Sequence, residues 1–144
     1  MGITYRVDHE KRIIFVVWDG VVTAEDWFRN IERLIADPAW PSISSILADL
    51  RTVTTMSSIE EAEIEHAITL FKTDPFSLFR KKVGIVASEV FAKSLQFAEL
   101  ISRFGPTVIV FNDMQTACLY LDVNIEEALK VLQELRLRLR ADLR

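Results

Sequence analysis

Seven side chains stand where they could bind or react: Asp19, Asp49, Arg51, Ser57, Ser58, Ser88 and Asp113. Most of them follow or close an apolar run. Asp19 comes after RIIFVVW (12–18), and Asp49 and Arg51 flank the end of SILADL (45–50). Ser88 follows KKVGIVA (81–87), and Asn112 and Asp113 follow TVIVF (107–111). Short apolar runs rich in β-branched residues read as buried strands. In an open α/β sheet, ligands gather beyond the carboxyl ends of the strands. The strand-end residues would then form one polar rim centred on Asp49 and Arg51, suited to a small ligand or a protein contact. A plainer account covers the same residues, because Ser, Asp and Asn are the preferred turn and cap residues.

The stretch DLRTVTTMSS (49–58) gathers Thr52, Thr54, Thr55, Ser57 and Ser58, and IEEAEIE follows it. Helix entry alone calls for a hydroxyl here. Ser57 with Glu60, or Ser58 with Glu61, spells a capping box, and bend formation accounts for some of the threonines. A phosphate on Ser57 would sit favourably at a helix N-terminus. Glu60, Glu61, Glu63 and Glu65 would repel it and alter that surface strongly. Support for catalysis is thin. His9 and His66 lack metal-ligand spacing, and Cys118 lies on an apolar helical stripe, as an inert core thiol would. The four glycines are not clustered into a phosphate loop, and no nucleophile elbow is present. No cofactor, metal or catalytic set is expected. An enzyme using Asp49 ranks below a binding or regulatory domain.

The 144 residues suffice for one domain with a proper core. A net charge of −4 argues against a nucleic-acid partner. One cysteine excludes an internal disulfide. No apolar run reaches membrane-spanning length, and MGITYRVDHEK has no signal-peptide core, so a cytoplasmic protein of bacterial type is expected.

Positioning the rim requires a regular chain. ITYRV (3–7) and RIIFVVW flank the short loop DHEK, a β-hairpin, with Asp19-Gly20 turning the chain next. Thr23 and Asp26 cap a first helix bearing Trp27, Ile31, Leu34 and Ile35, ended by Asp37-Pro38. A second helix carries Ile64, Ala67, Ile68 and Phe71 and closes at Asp74-Pro75. Ser88 caps a third, with Phe91, Leu95, Ala98 and Ile101 inward, stopped by Gly105-Pro106. Asp113 caps a fourth, bearing Met114, Ala117, Cys118 and Leu121. Asn124 with Glu127 starts a last helix whose seam is Ile125, Ala128, Leu132, Leu135 and Leu139. The order predicts an α/β fold: a mixed five-stranded sheet, opened by a hairpin and continued by βα repeats, with helices on its faces.

Four segments carry a family resemblance: DGVVTAEDW, ILADLRTVTTMSS, KKVGIVASEVFA and GPTVIVFNDMQTACLYL. With the strand order, they resemble STAS domains, the fold of bacterial anti-sigma-factor antagonists, and more closely the SpoIIAA-like group related to them. The resemblance implies a STAS/SpoIIAA-like domain over 1–122 and a C-terminal helical extension over 123–144, packed on the domain or on a partner subunit. In the antagonists, a Met-Asp-Ser-Ser-Gly motif follows the third strand, and a partner kinase phosphorylates its serine. Here Met56-Ser57-Ser58 stands there, without the Asp and with Ile59 in place of the Gly. The implied function is a non-enzymatic regulatory or protein-interaction domain with a degenerate phospho-switch at that junction. The alternative is a small-molecule or lipid-binding domain using the same rim, with a small apolar ligand near Trp27, Phe28, Trp40, Phe76, Phe79 and Phe91. Leu129, Leu137 and Leu143 widen the last helix's apolar surface. Arg136, Arg138, Arg140 and Arg144 suit the acidic second helix of a partner. A homodimer using this helix is therefore expected.

Overall fold

A computed structural model describes residues 2–72 and 78–142. Asp74-Pro75, Phe76, Leu143, Arg144 and the side chain of Phe79 lie outside the described residues. The strands are β1 (Ile3–Asp8), β2 (Ile13–Val21), β3 (Ser45–Thr55), β4 (Lys82–Ala87) and β5 (Thr107–Phe111). They form one sheet in the order β1-β2-β3-β4-β5, with β1 antiparallel to β2 and the other pairs parallel. Helices α1 (Ala24–Ala36), α2 (Glu61–Lys72) and α3 (Phe91–Ser102) belong to one core. Helices α4 (Met114–Leu121) and α5 (Ile125–Asp142) belong to another.

Strand alternation explains the two cores. Ile14, Val16, Trp18, Ile46, Ala48 and Leu50 face α1–α3, whereas Ile13, Phe15, Val17 and Leu47 face α4 and α5. Strands buried on both faces must be apolar at successive positions, and β2 is. Helix α1 starts as the sequence predicts, with a capping box between Thr23 and Asp26. Asp113 caps α4 through the Thr116 amide, and Asn124 accepts from the Glu127 amide at the start of α5.

Several local expectations are corrected. Asp19 and Gly20 do not turn the chain. They continue β2 through register shifts, with Gly20 at φ +68, where a side chain would be strained. Strand β3 runs on to Thr55, so Thr52, Thr54 and Thr55 are strand residues. Neither capping box forms at Ser57 or Ser58, because α2 begins only at Glu61 and the Glu60 amide donates to Glu63. Met56 and Ile59 are drawn into the core, and a turn bonded from the Ile59 amide to the Met56 carbonyl takes the helix's place. Ser88 gives its carbonyl, not its hydroxyl, to the Phe91 amide ahead of α3. That helix buries Ser94, Phe97, Ala98 and Ile101 and leaves Leu95 48% exposed. The phase shift lets Phe97 pack on Trp27, their ring centroids 4.8 Å apart.

The seam of α5 is spent inside the chain. Ala128, Leu132, Leu135 and Leu139 are buried in one core with Ile13, Phe15 and Val17. Arg6 of β1 pairs with Glu134 at 2.8 Å, and Lys11 pairs with Glu127. Without this helix the apolar outer face of β2 would meet water. The seam is therefore occupied intramolecularly, whereas Leu129 and Leu137, which widen the apolar surface of this helix, remain outward. Leu132→Ala, at a site 0% exposed, should cost about 2–5 kcal/mol in urea unfolding. Leu137→Ala, at a site 55% exposed, should cost under about 0.5 kcal/mol. Equal costs would mean that α5 does not pack this way.

Candidate functional site: a buried carboxylate between two arginines

Strand alternation brings Leu47, Asp49 and Arg51 to the α4–α5 side of the sheet. Asp49 is completely buried there. Arg51 grips it from two residues along the same strand. Its Nε and Nη2 donate to the two carboxylate oxygens at 2.9 Å each, and its backbone amide adds a bond at 3.0 Å. Arg136 reaches down from α5 and donates Nη2 to Asp49 Oδ2. The carboxylate thus accepts four hydrogen bonds, which fills its lone-pair sites.

A bulge extends the network. Val17 pairs with Asp49 but Asp19 pairs with Thr52, so β3 carries one residue more than β2 over that interval. Parity changes there, and Thr52 comes to the same side as Asp49. Its hydroxyl donates to Asp19 Oδ1 at 2.6 Å and accepts from Arg136 Nε at 3.3 Å. Arg140 closes the row, its Nε and Nη2 each 3.1 Å from an oxygen of Asp19. Gln133 accepts from Arg136 Nη1 at 3.0 Å. Two carboxylates and three guanidiniums form one line from Arg51 to Arg140.

The titration behaviour follows from these contacts. The Arg140 hydrogen bond holds Asp19 below the usual carboxylate range; burial pulls the other way and the Thr52 hydroxyl assists. Asp49 raises the pKa of Arg51 further, through its hydrogen bond above all. Burial pushes the Cys118 thiol up, against a smaller pull from Arg51, which keeps it protonated and unreactive.

The rim read from the sequence divides into separate parts. Asp19, Asp49 and Arg51 come together, beneath α5. Asp113 is a helix cap, its carboxyl lowered by the Thr116 amide, and Ser88 is an exposed turn residue; neither bonds to the network. Ser58 accepts from the Ala24 amide at 3.2 Å, tying the β3–α2 turn to the start of α1, while Ser57 is exposed. Arg136 is buried against Asp49, and Arg140, 54% exposed, pairs with Asp19 at the surface. Sequence reading missed the partnership of Thr52, Arg136 and Arg140. The available signal was position: Arg136 lies four residues after Leu132 on a buried seam.

On the opposite side of the sheet, a cavity of about 80 Å³ lies between the strands and α1–α3. Trp27 lines it with Trp18 and Phe97, while Phe28 stacks on Trp27 from outside. Trp40 is buried elsewhere, under the Lys81 ammonium. This apolar space lies between the layers.

No family model matches the sequence, and no curated protein resembles it closely enough to count as a relative. Among solved structures, the chain resembles an uncharacterised protein of the DUF3478 family, with a SpoIIAA-like fold, from Shewanella loihica PV-4. The TM-score is 0.50 at 18% identity, covering 83% of this chain and 94% of that one. The fold of this chain is therefore SpoIIAA-like: a mixed sheet with an antiparallel opening hairpin, parallel strands after it and helices on both faces. No helix among the described residues is long and apolar enough to cross a membrane.

Asp49→Ala should cost about 3–5 kcal/mol, because it leaves Arg136 buried without a counter-charge. Arg136→Leu should cost less, about 1–3 kcal/mol, since Arg51 still satisfies Asp49. Urea unfolding of both variants tests the order, and a reversed order would place the main dependence on Arg136. Asp19 supplies a pH test. A carboxyl whose folded pKa is depressed stabilises the fold above its unfolded value of about 3.9. That contribution is lost as pH falls through the lower folded value. Asp19→Asn should flatten the fall of melting temperature below about pH 4; an unchanged profile would remove Asp19 from the acid response.

Proposed function

We propose that this chain is a non-enzymatic regulatory interaction domain of the cytoplasm, meeting a protein partner through the β3–α2 turn and the acidic start of α2. The observation that carries this reading is the build of that turn. Met56 and Ile59 are buried and anchor it from below, so Ser57 and Ser58 are held at the surface between two fixed points. A rigidly presented turn loses little conformational entropy on binding. Ile59 fills core space at the place where the antagonists carry glycine, which favours a fixed contact surface over a mobile loop.

Charge indicates the partner's chemistry. Glu60, Glu61 and Glu65 are exposed beside the turn, which suits a basic protein surface. Phosphate on Ser57 would deepen the negative field there and change partner choice. The absence of an activity of its own is supported by Asp49. A carboxylate whose acceptor sites are all filled by guanidinium and amide donors has no lone pair free to take a proton from a substrate.

Cross-linking from the turn, with a photoreactive residue at Glu65, should trap a basic partner in cells of the source organism. Glu61→Lys should reduce that capture at least tenfold, and Ser57→Asp should change it measurably in either direction. Capture that is indifferent to both substitutions would refute this contact surface.

A further inference from the structure

We propose that the cavity between the sheet and α1–α3 is a binding site for a small neutral aliphatic alcohol, with Asn30 as its polar contact. Asn30 lies on the buried stripe of α1 with Trp27, Ile31 and Leu34. It is only 5% exposed, and its Oδ1 is buried with no hydrogen-bond partner among the described residues. The residue lines the cavity, whose other described walls are apolar: Trp18, Trp27, Leu34, Ala48 and Phe97 among them.

A polar atom buried without a partner disfavours the folded state, so its presence on a core stripe needs a compensating role. Water is a poor answer here. A buried water is held by two to four polar partners, and the described walls supply one amide. A molecule with one hydroxyl and an apolar body matches both features. Its hydroxyl donates to Oδ1, or accepts from the amide nitrogen if the side chain turns over, and its body replaces empty space against the tryptophans. Among the described residues no ionised group lines the walls, which favours a neutral molecule. Size favours small ligands: about 80 Å³ is below the ~150 Å³ of an apolar cavity that takes up benzene. This site lies inside the helix layer and does not depend on the partner surface proposed above.

Purified full-length protein titrated with ethanol, 2-propanol and dichloromethane tests the proposal. Fluorescence reports directly, because Trp18 and Trp27 stand in the wall. Ethanol or 2-propanol should give a saturable change and raise the melting temperature, and dichloromethane, of similar size but without a hydroxyl, should bind at least tenfold more weakly. Asn30→Leu should abolish the preference for the hydroxyl. Ala48→Leu, which keeps the amide and fills the space from the sheet side, should abolish binding of all three and serves as the test should Asn30→Leu fail to fold. No saturable response to the alcohols, or binding unchanged in Ala48→Leu, would overturn the proposal.

Discussion

A carboxylate with no exposure at the end of a central strand must be satisfied from within the chain. Asp49 imposes that requirement. Arg51 answers most of it locally, because residues two apart on a strand share a face. One acceptor site on Oδ2 is left, and the neighbouring surface there is apolar. The remaining donor comes from Arg136, 87 residues further along the chain. That bond fixes where α5 can lie, and the positions of Leu132, Leu135 and Leu139 follow from it. The last helix is therefore registered on the sheet by a charge and held there by its leucines.

The same requirement shapes the strands. Thr52 can join Asp19 to Arg136 only if it faces α5, and in a regular strand it would face α1–α3. The extra residue in β3 corrects its direction. Glycine at position 20 lets β2 follow with a positive φ. Two local irregularities thus serve one polar network, which argues against reading them as incidental. Desolvation makes such a network costly, and burying it yields uniqueness of register more than net stability. That suits a chain whose last helix has a repetitive Leu-Arg sequence with several similar ways to pack.

Much of the fold was legible because strong local signals agreed with tertiary packing. The apolar runs of β2 to β5, the Thr23–Asp26 capping box and the seam of α5 each point one way at both levels. The failures arose where two physical preferences overlapped. Threonine serves a strand as well as a bend, so β3 was read too short. Serine followed by glutamate spells a capping box, but burial of Met56 and Ile59 outweighs a surface cap and delays α2. LRLRLR offers alternate periods, and nothing local says that Arg136 is buried while Arg138 and Arg140 are exposed. Asp49 with Arg51 was readable as a pair, whereas Arg136 depended on a contact far away in sequence. Asn30 sat in plain view on a helical stripe, but periodicity identifies the apolar positions and passes over the polar residue among them.

The two faces of the sheet differ in how finished they are. On the α4–α5 side, the charges are paired in a row. On the α1–α3 side, a cavity lies beside an amide oxygen with no partner among the described residues. Packing density near that of a crystal transmits strain, and a void interrupts it. The α1–α3 layer is accordingly the one with room to adjust. Helix α1 spans that layer from the β3–α2 turn, where the Ala24 amide donates to Ser58, to the cavity wall at Asn30. Filling the cavity and engaging the turn would load the same helix from two places. Coupling between two sites requires an element that both can bias, and α1 is the element that touches both the turn and the cavity wall.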